Sequence, residues 1–404
     1  MSSIHPFRAL RPAREAAPAV SSVPYDVVST DEARQLAAGN PLSFLHVTRS
    51  EIDFPAGADP YAPEVYEKAK ANLDALRAAA PLVEDEPSLY FYRLRMGGHE
   101  QTGIAACFSV DEYEQDVIKK HERTRPDKED DRTRHIVKLR AQTGVVFLTY
   151  KGSEAVDRLC RAVTSDAPLY DFRADDGVHH TIWKAGPREA TALVDAFTRI
   201  PALYIADGHH RAASAARARQ ELRGQGGAGA ADTFIAVAFP DDQMQILPYN
   251  RTVKDLAGKT ATQFLEALRR VVTVNDGRPV PAGKGEVAMF LDGRWYALDL
   301  SQARPEDGSR ASALDVALLQ HHVLGPLLNI GDVRTDKRID FVGGARGTAA
   351  LEKAVSTGQA AVAFSMHPVT IDDLMAISDE GGIMPPKSTW FEPKLRDGLL
   401  VHVI

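Results

Sequence analysis

Cysteine is nearly absent: Cys107 and Cys160 are the only two in 404 residues. Two thiols build neither a disulfide framework nor a cysteine metal site, so a reducing, cytoplasmic setting is expected. No apolar run reaches the roughly 18 residues that a membrane span needs. The opening stretch, Met1 to Arg14, is polar and lacks the apolar centre of a signal peptide. An excess of basic charge is missing too. With 48 Lys and Arg against 55 Asp and Glu the formal charge is -7, which speaks against nonspecific nucleic-acid binding. No internal repeat or low-complexity segment occurs. What remains, 44% hydrophobic and 25% charged residues, is ordinary globular composition in a chain long enough for one large domain or two to three modest ones.

Against this plain background one stretch stands out, Leu203 to Ala218. Leu203, Tyr204 and Ile205 form a short apolar run suited to a strand buried on both faces. Ala212 to Ala218 is dense in the strongest helix former. Between them stand Asp207, Gly208, His209, His210 and Arg211. A strand that turns through Asp-Gly into a helix leaves backbone N–H groups open at the helix start, and these attract anions. The His-His-Arg run adds side-chain donors and charge.

A second polar cluster is the mixed-charge run Ile118 to Arg132, in which His121, Glu122, Arg123 and Arg125 offer base, acid and phosphate-binding groups ahead of Pro126. Its plainer reading is a solvated loop with compensating charges. Tyr25 and Asp26 lie in a turn feeding a helix, with Ser29 and Glu32 at capping-box spacing. Asn40 to Arg49 reads as a turn followed by a short strand, so His46 and Arg49 near its end become candidates for an anionic ligand. A long amphipathic helix follows over Tyr61 to Ala80, then a hairpin, Leu89–Leu94 with Thr102–Phe108. Further along, Val145–Tyr150 reads as a buried strand, and Tyr170–Phe172 with Val178–Trp183 as another hairpin. There His179 and His180 alternate across the strand and cannot share one ion. Glu221 to Ala231, rich in Gly and Ala, reads as a connector. Arg251 follows a strand, and Lys387-Ser388-Thr389 lacks the glycines of a Walker loop yet offers a lysine. The expected partition is 1–155, a phosphate-binding core over 156–256, and 257–404.

Val23 to Val27, His121 to Thr124, Ala206 to Arg211, Leu247 to Arg251, Arg334 to Arg338 and Met384 to Lys394 stand in one order that resembles a widespread, largely uncharacterised prokaryotic family, domain of unknown function 1015. More distantly, Asp207 to Arg211 is similar to the phosphate-binding motif of the ParB and sulfiredoxin superfamily, which includes free-serine kinases. That resemblance implies a mixed α/β fold, a central ParB/sulfiredoxin-like sheet with flanking helices elaborated by N- and C-terminal α/β regions. It also implies that Gly208, His209, His210 and Arg211 bind phosphate, with Asp207 orienting the turn or holding Mg²⁺. The catalytic glutamate of the serine kinases has no aligned counterpart here, so Glu122 is chosen as base on chemistry alone.

Phosphoryl transfer asks mainly for positioning and charge neutralisation. The expected function is therefore a small-molecule phosphotransferase, with a nucleotide or pyrophosphate as donor and a free hydroxy amino acid such as serine as acceptor. Glu122, Asp207, His209 and His210 would be catalytic. Arg123, Arg251, Lys337 and Lys387 would steady donor or acceptor, and Tyr25, Asp26, His46 and Arg49 the substrate. The alternatives are a phosphomonoester hydrolase using the same pocket and a nucleotide-controlled ParB-like binding module. A transition metal on His209 and His210 is a lesser reading, because adjacent histidines alone rarely suffice. The expected partner is a small molecule, with neither nucleic acid nor membrane, and self-association is left open.

Overall fold

The computed structural model describes residues 2–79, 82–224 and 229–404. Ala80, the last residue of the expected long helix, and Gln225, Gly226, Gly227 and Ala228 of the expected connector lie outside them. Two compact units form, one from Met1–Met244 with Pro393–Ile404 and one from Gln245–Glu392. The sequence partition placed boundaries at 155 and 256. The observed division at 244 keeps whole a sheet that a boundary at 155 would have cut.

That sheet belongs to the first unit and is mixed, with nine strands among the described residues. Its order is Ile118–Lys119, Leu203–Asp207, Val146–Tyr150, Thr233–Pro240, His99–Ser109, Tyr90–Met96, His179–Lys184 and Tyr170–Arg173, with Ile4–His5 also paired to His99–Ser109. Leu203–Asp207 runs parallel to Ile118–Lys119 and antiparallel to Val146–Tyr150, whereas Thr233–Pro240 runs parallel to Val146–Tyr150. The two hairpins expected from alternating apolar runs pair as read. The central strands are apolar at nearly every position because helices cover the sheet, and Ile205, Leu148, Ala236 and Phe108 share one buried core with Ala212 and Ala215. A smaller sheet joins Val83–Glu84, Ala9–Arg11, Val401–Val403 and Ala141–Gln142, so the C-terminal tail closes the first unit.

Local signals set the helices. Ser29 caps Thr30–Ala37 and completes a capping box with Glu32. Pro63–Ala79 buries Val65, Ala69, Leu73 and Leu76, the face its periodicity predicts. Asn40 to Arg49 corrects the reading: Leu45–Thr48 is a short helix rather than a strand. Asn40 Oδ1 accepts from the Leu42 N–H at 3.1 Å and Ser43 Oγ from the Leu45 N–H at 3.4 Å, so short polar side chains wind this segment into turns. Phe44 and Val47 then point into one core and Leu45 into another.

The second unit carries a six-stranded antiparallel sheet in the order Thr273–Asp276, Arg294–Asp299, Glu286–Leu291, Val362–Ser365, Tyr249–Val253 and Ile339–Gly343. Among the described residues of both units, no helix is long and apolar enough to cross a membrane.

The large sheet leaves no room for a side chain at Gly103. A Cβ there would sit 2.7 Å from Val237 Cγ1 and 2.8 Å from the Ala238 carbonyl oxygen. Gly103→Ala is therefore expected to cost about 1–3 kcal/mol by overpacking, read as a lower urea midpoint at unchanged slope. An unchanged midpoint would contradict this packing.

Candidate functional site

The Leu203–Asp207 strand is buried from Leu203 to Ala206, and its register against Val146–Tyr150 shifts between Ile205 and Asp207. Such an irregularity re-aims the side chain that follows it. Gly208 then turns the chain with φ +96°, a conformation that L side chains rarely adopt. The helix His209–Gly224 begins at once, and its first turn holds no acidic residue. Alanines at 212, 215, 216 and 218 let it lie close to the sheet.

Arg211 turns inward from that first turn. Its Nη1 donates to the Val145 carbonyl at 2.7 Å and its Nη2 to both oxygens of Asp26 at 2.7 Å. Gly208 and Gly144 leave room for its stem, since a Cβ on either would lie 3.3 and 3.2 Å from Arg211 Cδ. Tyr25 lies under Arg132, whose guanidinium carbon is 4.3 Å from the ring centroid, with that of Arg211 at 5.7 Å. Asp397, from the C-terminal tail, completes the group. Burial pushes its carboxyl up to about 7, Arg211 opposes this, and the Asp26 charge adds to it. The sequence reading gave Arg211 to phosphate and Tyr25 and Asp26 to substrate. In the structure the three lie together, with the buried Arg211 paired to the more exposed Asp26 beside the partly buried Tyr25.

The two histidines of the turn part ways. His209 is buried and packs edge-to-face on His121, with ring centroids 4.4 Å apart. Its Nε2 accepts from the His121 backbone N–H at 3.4 Å, and its Nδ1 lies 3.8 Å from Glu122 Oε2. His210 Nε2 accepts from the Arg125 N–H at 3.0 Å. The two segments singled out in the sequence, 121–125 and 207–211, thus meet. Parallel pairing of Leu203 with Ile118 and Tyr204 with Lys119 carries them to the same sheet end. Burial pushes His121 down to about 4 and, with the neighbouring His121, holds His209 well below the usual imidazole range. Burial alone would raise the Asp207 carboxyl, but Lys394, whose Nζ donates to Asp207 Oδ2 at 2.8 Å, and Arg211 outweigh it and hold the acid ionised.

Other candidates lie elsewhere. His46 Nδ1 lies 2.6 Å from Asp53 Oδ1, and Arg49 pairs with Glu51 at 2.9 Å, contacts local to this stretch of chain. Arg123 is exposed beside Glu122. Arg251, Lys337 and Lys387 belong to the second unit. There Arg251, which burial lowers to about 10, donates to the Lys387 carbonyl at 3.1 Å, and Lys337 is exposed. That unit also holds a cavity of about 290 Å³ lined by Asn250, Ser365 and His367, with His367 as its titratable lining residue. Lys394 and Asp397 escaped sequence reasoning. Lys394 ended a quoted motif, whereas Asp397 had no local signal.

Mg²⁺ was the expected ion at Asp207. The chain offers it one carboxylate, already paired with Lys394, beside imidazole nitrogens and Arg211. Two cations, Lys394 and Arg211, already neutralise that carboxylate, and this disfavours a further cation on it.

Taken together, the fold and site define a mixed α/β protein with a histidine-rich turn between a buried strand and a helix. Residues 4–317 match the family described as "Protein of unknown function (DUF1015)", and the chain belongs to that family. No curated protein matches it. Among solved structures, a free serine kinase in complex with AMP aligns at 12% identity and TM-score 0.38, covering 73% of this chain and 91% of that one. A conserved hypothetical protein from Pyrococcus furiosus aligns at 13% and 0.37, covering 74% and 95%. C-terminally truncated SbnI from Staphylococcus aureus aligns at 14% and 0.39, covering 74% and 87%. At these scores the likenesses carry no argument about the site.

Asp397 has a pH signature. A carboxyl whose folded value of about 7 lies above its ordinary 3.8 binds protons more readily folded than unfolded. Its stabilising contribution is therefore complete below about pH 4 and is lost as pH rises towards 7. Asp397→Asn removes this slope. Relative to the variant, the wild type should lose on the order of 1 kcal/mol per pH unit across that window. Parallel stability curves in a denaturant series at several pH values would show that Asp397 does not titrate there.

Proposed function

We propose that the protein is a small-molecule phosphotransferase that moves a phosphoryl group from a nucleotide or pyrophosphate to the hydroxyl of a free hydroxy amino acid such as serine. The observation that carries this reading is the meeting of a helix start free of acidic side chains with Glu122, His121, His209 and the Lys394–Asp207 pair at one sheet end. The N–H groups of the first helical turn have no carbonyl one turn below them, and with Lys394 they would neutralise the transferring phosphoryl oxygens. Glu122 keeps 42% of its side chain exposed and suits the role of base. It would take the proton from the acceptor hydroxyl as the new O–P bond forms and the bond from phosphorus to the donor's bridging oxygen breaks. His210, beside His209 in the same turn, would donate a hydrogen bond to the donor. In this reading Arg211 positions the turn rather than touching phosphate.

The test is a thermal-shift series on the full chain with ATP, ADP, AMP, pyrophosphate and phosphoserine, followed by phosphorus NMR of reactions with serine. A donor that binds the folded state raises the unfolding midpoint. Phosphoserine should accumulate, and Glu122→Gln should lower its rate by about 10²–10⁴-fold while donor binding persists. Release of inorganic phosphate without a phosphorylated acceptor would replace transfer with phosphomonoester hydrolysis. No midpoint shift with any donor and no product would end the phosphotransferase reading.

A further inference from the structure

We propose that His121, Glu122 and His209 together hold a divalent transition-metal ion of the zinc class. One ligand atom from each residue lies within 4.8 Å of the others. The donors come from two chain segments, the loop after Ile118–Lys119 and the first residue of the His209–Gly224 helix. This avoids the objection to the adjacent pair His209 and His210, because His210 is engaged with the Arg125 backbone.

Three features favour an ion over a hydrogen-bond network. His121 is 2% exposed, and its Nδ1 is buried with no hydrogen-bond partner among the described residues. Leaving a buried polar atom unpaired costs roughly 1–3 kcal/mol, and a metal bond at that nitrogen removes the cost. The same ring forms a hydrogen bond with the Ile205 backbone. A backbone carbonyl on the second nitrogen is the support that orients imidazole ligands of metals and fixes their tautomer. Finally, the two rings stand edge-to-face at 4.4 Å, interplanar angle 86°, beside a half-exposed carboxylate that can close on an ion.

The donor set names the ion class. Two imidazoles and one carboxylate suit zinc and its first-row neighbours rather than Mg²⁺ or Ca²⁺. Three protein ligands leave a coordination position open, as catalytic rather than structural sites do. Beside a helix start, that position would take water or an anionic oxygen. Ion binding stands independently of the transfer reading. Where both hold, one oxygen of Glu122 binds the ion and the other remains to accept a proton.

Stripped full-length protein is titrated calorimetrically with Zn²⁺ and spectroscopically with Co²⁺, without nucleotide or serine, so that the outcome is separate from that of the transfer assay. Stoichiometric Zn²⁺ binding that excess Mg²⁺ does not displace is expected, with ligand-field bands of four- or five-coordinate Co²⁺. Glu122→Gln should weaken binding on the order of 100-fold, and His121→Ala should abolish it. Replacement of the exposed His321 and the partly exposed His322 should change nothing. Circular dichroism of each stripped variant confirms folding, and where His121→Ala does not fold, Glu122→Gln and the Co²⁺ spectrum decide. No stoichiometric binding, ready displacement by Mg²⁺, or equal affinity in Glu122→Gln would overturn the proposal.

Discussion

The buried guanidinium of Arg211 is the constraint on which the first unit depends. At 6% exposure its charge cannot be left to water, and an unpaired charge at such a depth costs several kcal/mol. Compensation comes from Asp26 near the N-terminus, the Val145 carbonyl at the head of a central strand and the Asp207 charge, with the Asp397 carboxyl adding to it once it ionises near pH 7. Four separated stretches of chain are thereby fixed around one side chain. Two glycines, 144 and 208, exist where its stem passes. The turn of Asp207 to Arg211 is held from below by its own last residue, and the two histidines before it turn to the 121–125 segment.

Much of this was legible because it is local. The capping box at Ser29, the hairpins, the buried strand ending at Asp207 and the alanine-rich helix all follow from patterns within a few residues. The meeting of 121–125 with 207–211 was half legible, since both segments stood out but nothing in either specified parallel pairing of the short strands before them. Illegible were the long-range partners. Lys394 reaches Asp207 across 187 residues, and Asp397 joins Arg211 and Asp26 from the far end of the chain. The Asn40 to Arg49 segment misled for the opposite reason: a strand-like apolar run hid the Asn40 and Ser43 side-chain bonds that wind it into a helix, and His46 and Arg49 lie beside neighbouring carboxylates.

Charge sets the division of labour within the turn. Asp207 and Arg211 flank the histidines, and each is held ionised by an opposite partner, Lys394 for the first and Asp26 for the second. The pairs cancel locally. His209, beside a second buried imidazole, resists protonation because adding a proton there means burying a charge next to another ring. A neutral imidazole keeps a lone pair or a single N–H to offer, and which of these it presents is decided by its backbone and carboxylate neighbours.

The placement of Lys394 and Asp397 bears on how the chain is divided. The family match ends at residue 317, whereas the first unit takes back Pro393–Ile404 after the whole of the second unit has been laid down. Pairing of Val401–Val403 with Ala9–Arg11 and Ala141–Gln142 anchors that return, and Ser22 exchanges backbone hydrogen bonds with Asp397 just ahead of it. The second unit is therefore an insertion between the bulk of the first and its last strand. Truncation before residue 393 would remove the cation that holds Asp207 and the carboxyl beside Arg211 along with an edge of the small sheet, so the end of the chain is part of the site itself.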